Sequence, residues 1–238
     1  MTDEAGFSLI ELLVTMTIGV AVLGAAFVVV QWATQLTGNA QGRVDAQQRG
    51  RQGLEDIISE LRSGVCVAPS TGTPPSSPIV SGDANHVELY LNVAGPDALP
   101  QRRVLTYDAT KRTIVEQSYQ GLAPATGLPV GSVVLPIGGT VRTRTLLENV
   151  VPLDAATPIF RYWGYQVDTT VTPPKVTGMT QLNATLAAAD LPKVVQIDVN
   201  FRARTLKATA DNKRDALLRS SAYLRLSNPL DPTSAPCS

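Results

Sequence analysis

The chain has 238 residues, enough for one compact domain with an appendage or for two small domains. Lys and Arg together number 20, as do Asp and Glu, so the formal charge is zero and nothing recommends nucleic acid as a partner. The 2 cysteines, Cys66 and Cys237, stand far apart and there is 1 histidine, His86, which argues against a structural zinc or iron–sulfur site.

Residues 5–30 read "AGFSLIELLVTMTIGVAVLGAAFVVV". From Phe7 to Val30 everything is apolar or small and neutral except Glu11. These roughly 24 residues would make a helix about 36 Å long, enough to span a bilayer core of about 30 Å. The unbroken length argues against a buried core helix. A Sec signal peptide needs a basic start, a shorter apolar core and a small-residue cleavage site after it. Here "MTDEA" is acidic and Glu11 interrupts the first turns. A lone carboxylate in hydrocarbon is costly, about 2.5–3.5 kcal/mol at a helix centre.

The helical signal continues through "QWATQLTGNAQGRVDAQQRGRQGLEDIISELRSG", residues 31–64, which contains no proline. Val44, Leu54, Ile57, Ile58, Leu61 and Val65 fall mostly at helical spacings, giving an apolar stripe opposite a polar face. Gly38, Gly42, Gly50 and Gly53 each weaken a helix by up to about 1 kcal/mol, so local bending is expected there. The expectation is one helix from about Phe7 to Arg62, lipid-soluble in its first half and amphipathic in its second.

Beyond Gly64, "TGTPPSSP" (71–78) reads as a turn-rich loop and "HVELYLNV" (86–93) as a strand. "RRVLTYDATKRTIVEQSY" (102–119) reads as a hairpin turning around Asp108–Lys111. "TRTLLENVVPL" leads into "IFRYWGYQV" (159–167). In "VQIDVNFRART" (195–205), Val195, Ile197, Val199, Phe201 and Ala203 face one way, and Gln196, Asp198, Asn200, Arg202 and Arg204 the other. "DNKRDALLR" (211–219) reads as a solvated loop or short helix, and "SAYLRLSNP" (221–229) as the last strand. The alternation fits one antiparallel sheet with a wet face and a dry face, the latter covered by Leu54, Ile57, Ile58 and Leu61.

"G-FSLIELL" resembles the class III signal of type IV pilins and pseudopilins. The resemblance implies that a prepilin peptidase cuts between Gly6 and Phe7 on the cytoplasmic side and N-methylates Phe7, and that Glu11 is the fifth mature residue. The acidic leader departs from the family's usual basic one. Cleavage would create a positive amine on Phe7. In a filament of packed apolar helices, a Glu11 carboxylate matched to a neighbour's Phe7 amine is far less costly than an unmatched one. The charge pair would then set axial register between subunits. The alternative is a Glu11 that snorkels to the membrane interface. The order "LLENVVPLDAATPIFRYW", "LPKVVQIDVNF", "SAYLRLSNP" resembles W-type minor pilins and J-type minor pseudopilins of type II secretion.

The fold expected is α+β, with a long N-terminal transmembrane and amphipathic helix packed on an antiparallel β-sheet globular domain. It divides into a leader (1–6, cleaved), a transmembrane half-helix (7–30), an amphipathic half-helix (31–64) and an extracytoplasmic β-rich domain (65–238). The function expected is that of a minor pilin or pseudopilin: a structural subunit of a pilus or secretion pseudopilus, near its tip. Implied partners are other pilins or pseudopilins, the prepilin peptidase, the inner-membrane assembly platform and membrane lipid. The implied location is the inner membrane, crossed once, with the C-terminal domain outside the cytoplasm. Two other readings compete: a membrane-anchored extracytoplasmic binding protein, and a secreted hydrolase behind an atypical signal.

Nothing points to an enzyme or a cofactor. His86 has no GxSxG-like partner, and no P-loop or GxGxxG fingerprint occurs. Asp231 with Asp211 or Asp215 could offer carboxylates to calcium, but the spacing matches no EF-hand loop. Outside the cytoplasm, Cys66 and Cys237 can form a disulfide tying the C-terminal tail to the helix end, or stay unpaired.

Overall fold

The structure is a computed structural model that describes residues 8–66, 77–91, 101–119, 141–205 and 215–224. Its spine is a single helix, α1 (Leu9–Arg62), of 54 residues. No proline interrupts it, and Ser8 caps its start in an extended conformation. It stops at Ser63, whose N–H donates to the carbonyls of Ser59 and Glu60 and whose hydroxyl donates to Glu60 as well. Gly64 then bridges to Leu91 and turns the chain into the sheets.

Ten strands follow. β1 (Ile79–Gly82), β2 (His86–Leu91), β3 (Gln101–Asp108), β4 (Thr113–Tyr119) and β5 (Val141–Leu147) form an antiparallel meander in chain order. β7 (Phe160–Asp168), β8 (Lys175–Gln181), β9 (Val194–Ala203) and β10 (Ala216–Tyr223) form a second antiparallel sheet, ordered β10-β9-β7-β8. The short β6 (Val150–Val151) also pairs with β9. The sequence pattern predicts one sheet; the described strands form two. The chain changes sheets at Glu148–Asn149, where Asn149 takes φ 55. There the Val150 N–H donates to Arg112 of the first sheet, while the Asn149 carbonyl accepts from Arg204 at the end of β9. Alternation tells which face of a strand is dry, not which strand it pairs with.

A shared core joins α1 to both sheets: Ile57 and Leu61 from the helix, Leu89, Leu105 and Ile114 from the first sheet, and Phe160, Tyr162, Ile197 and Phe201 from the second, all 0% exposed. Fully burying an Ile or Leu side chain is worth about 1.5–3 kcal/mol. Tyr162 locks the sheets together: its hydroxyl lies 2.8 Å from the His86 carbonyl and 3.0 Å from that of Asp83. The β9 alternation holds, with Val195, Ile197, Val199, Phe201 and Ala203 all buried. On its other face Asp198 accepts from the Trp163 indole, the Gln196 amide and the Ser221 hydroxyl at 2.6–2.8 Å.

Several expectations need correction. Val44 is 54% exposed, because it points away from the face of α1 on which Gly42 and Ala46 meet the domain. Residues 216–219, read as loop or short helix, are the first half of β10 and pair with Arg202, Phe201 and neighbouring residues of β9. The short, polar Asn-Lys-Arg-Asp lead-in hid a strand whose Ala216, Leu218 and Ala222 turn inward. β1 and β8 have no counterpart in the sequence reading, being short or mostly polar. The residues of 71–76, 92–93 and 225–229 lie outside the described residues.

Candidate functional site

The site begins where α1 begins. Ser8, Leu9, Ile10 and Glu11 occupy the cap and first turn, and the Ser8 hydroxyl accepts from the Glu11 N–H at 3.3 Å. Ser-x-x-Glu is the sequence pattern of a capping box, a signal legible in "SLIE" that the sequence reading passed over. It places Glu11 in the first turn, beside the positive end of the helix dipole. The Glu11 side chain is exposed and contacts no cation among the described residues. Gly6 and Phe7 lie outside them.

From Leu9 to Leu36 the helix exposes its apolar side chains on all sides, among them Ile10 at 71%, Leu23 at 71% and Phe27 at 63%. α1 is the one helix among the described residues that is long and apolar enough to cross a membrane. The same helix continues without interruption into the globular fold, so the exposed segment and the β-sheet domain share one rod. Two devices fix the rod to the domain.

The first is close approach. Gly50 and Gly53 are buried, and a methyl group at either would stand 2.2–2.3 Å from Leu218 or Leu147. The sequence suggests bending at these glycines; in the structure they are places where strand side chains press against the helix backbone.

The second is a buried charge cluster. Glu60 of α1 accepts from Arg103 of β3 at 3.1 Å and Arg144 of β5 at 3.2 Å. Both arginines also pair with Glu116 of β4, Arg144 at 2.8 Å. The Glu60 and Glu116 side chains are only 12% and 4% exposed. Burial, with the Glu116 carboxylate alongside, pushes the Glu60 carboxyl up to about 7; the two guanidinium groups pull the other way. Sequence positions 60, 103, 116 and 144 carry no spacing signal, so only the fold brings them together.

The remaining candidates do not converge. His86 opens β2 and its Nδ1 lies 3.9 Å from an Asp83 carboxylate oxygen. Asp215 is paired with Arg204 at 3.2 Å, while Asp211 and Asp231 lie outside the described residues. Among the described residues no group of three or more His, Cys, Asp and Glu side chains could hold a metal ion. Cys66, just past the helix end, is disulfide-bonded. Cys237, the other cysteine of the chain, lies outside the described residues.

Residues 1–27 match the family model of the prokaryotic N-terminal methylation motif. No curated protein matches the chain. The matched residues cover the Gly6–Phe7 junction, Glu11 and most of the exposed apolar segment. With the membrane-length helix docked on antiparallel sheets, the match supports a type IV pilin-like class for this protein.

Proposed function

We propose that the protein is a minor pilin or pseudopilin, a structural subunit of a type IV pilus or a type II secretion pseudopilus, placed near the filament tip. The observation that carries the reading is the methylation motif over residues 1–27, lying on a helix whose apolar half the fold leaves uncovered. In this reading prepilin peptidase removes residues 1–6 and methylates Phe7. The helix holds the chain in the inner membrane with the β-sheet domain outside the cytoplasm. The assembly platform then extracts the subunit into a filament, where other pilins replace lipid around Leu9–Leu36. The order of strand sequences across β5–β7, β9 and β10 is what favours the W-type or J-type minor subunits.

Glu11 has a defined part in this. Left unmatched in a filament core its carboxylate would cost about 2.5–3.5 kcal/mol, and a neighbour's Phe7 amine offsets that cost only at one axial offset. Glu11→Ala is therefore expected to insert and be cleaved normally but to be depleted from sheared filaments. The check is the ratio of filament to membrane protein by immunoblot. Wild-type incorporation would remove Glu11 from assembly, and a membrane-anchored protein that never enters filaments would favour a plain anchor.

A further inference from the structure

We propose that the outer edge of β10 takes up an extended acidic peptide strand from a partner protein, in the groove between β10 and α1. Among the described strands β10 lies at a sheet edge, paired with β9. Its pairing fixes which main-chain groups point out. The Leu224 N–H donates to Val195 of β9, so even-numbered residues here bond inward. The Ser221 carbonyl points away from β9, where Arg62 of α1 approaches it at 3.5 Å. Asn200, opposite Arg219, sends its N–H the other way, to Ile159. The N–H groups of Leu217, Arg219, Ser221 and Tyr223 therefore face outward, and none has an acceptor among the described residues.

Of these four residues, Leu217 and Arg219 border α1. A groove of about 820 Å³ runs between the strand and the helix. Leu54, Ile58 and Leu218 form its apolar floor, and Arg51 and Arg62 stand on the helix side. Arg51 and Arg62 are eleven residues apart on α1, or about 16 Å, the length of about five residues of extended chain. An edge whose outward main-chain donors have no acceptor among the described residues, beside an apolar floor, is the geometry of strand addition, where the backbone supplies affinity and alternate side chains supply specificity. The charge sets the specificity. Arg51, Arg62 and Arg219 line the groove against one carboxylate, Glu55. A guest strand with acidic side chains at alternate positions meets this excess of cations, and a basic one is repelled.

The test uses the full chain in detergent micelles with two end-capped five-residue probes at millimolar concentration, Glu-Val-Glu-Val-Glu and Lys-Val-Lys-Val-Lys. Amide hydrogen exchange is followed residue by residue along β10. The acidic probe is expected to slow Leu217, Arg219 and Ser221, the three outward groups a five-residue strand can reach from the groove, about tenfold, leaving Leu218, Ser220 and Ala222 unchanged. The basic probe should do nothing. Arg51→Gln with Arg62→Gln should weaken acidic-probe binding by about tenfold. Arg219→Pro removes an outward N–H without touching the ladder to β9 and should abolish the protection. Absence of protection, or equal protection by both probes, overturns the proposal. So does protection that grows with protein concentration alone, which would assign the edge to a second copy of this chain.

Discussion

Replacing Gly50 by alanine sets two effects against each other. Within a helix, Gly→Ala stabilises by about 1 kcal/mol through the unfolded chain's entropy. Against this, the new methyl would stand 2.2 Å from Leu218 Cδ1 and 2.9 Å from Ala203 Cβ. Leu218 can rotate its end away, but the Ala203 Cβ is fixed to the backbone of β9, so the helix must lift off the sheet. Overpacking of this kind costs about 1–3 kcal/mol. The clash wins, with a net loss of about 1–2 kcal/mol. At Gly53 the three nearest atoms, at 2.3–2.9 Å, all belong to the Leu147 side chain rather than to a Cβ held by the backbone, so Gly53→Ala should lose less than Gly50→Ala. Gly42 supplies the control: its added methyl meets Thr205 Cγ2 at 3.4 Å, an ordinary contact, and the helix gain should stand. Urea unfolding of a fragment beginning at Gln35 measures all three, with an unchanged slope and shifted midpoints. A Gly50→Ala protein as stable as the parent would show that α1 does not lie this close to β9 and β10.

Other outcomes follow from the same contacts. The folded Glu60 carboxyl titrates at about 7 against an ordinary 4.5, so the folded state holds the extra proton between these values. Stability therefore falls as pH rises through that window, by up to about 3 kcal/mol, and levels off above it. Glu60→Gln should flatten this part of the pH–stability profile, measured by urea midpoints; an unchanged profile would mean that Glu60 keeps an ordinary carboxyl. For the cysteines we propose a Cys66–Cys237 bridge closing a loop of about 170 residues, worth roughly 5 kcal/mol in the chain-entropy account. Thiol titration of the unfolded, unreduced protein should find no free thiol, and two per chain would rule the bridge out.

The helix was legible because its signals are local and redundant. The apolar run, the missing prolines and the stripe of Leu54, Ile57, Ile58 and Leu61 all point one way, and those four side chains are buried. β9 was legible for the same reason, each inward residue from Val195 to Ala203 being apolar. What stayed hidden depends on partners distant in sequence. Val44 has the right residue type, but it stands about 200° around the helix from Ala46 and faces away from the sheets. Gly50 and Gly53 look like weak points until Leu218 and Leu147 are placed against them. Glu60, Arg103, Glu116 and Arg144 each look like solvated charges, and only the docking of α1 on the first sheet gathers them. Of the candidate site, the place of Glu11 near the start of the apolar helix was legible in "GFSLIELL", whereas its cap by Ser8 was not read from "SLIE".

We propose that this chain is made as a precursor and matured at the Gly6–Phe7 junction. Intact-mass and N-terminal peptide mass spectrometry of the protein purified from its native membrane tests this most directly. The expected product begins at Phe7 and carries one added methyl group on its amine. An intact Met1, or a cut after the apolar segment, would contradict it.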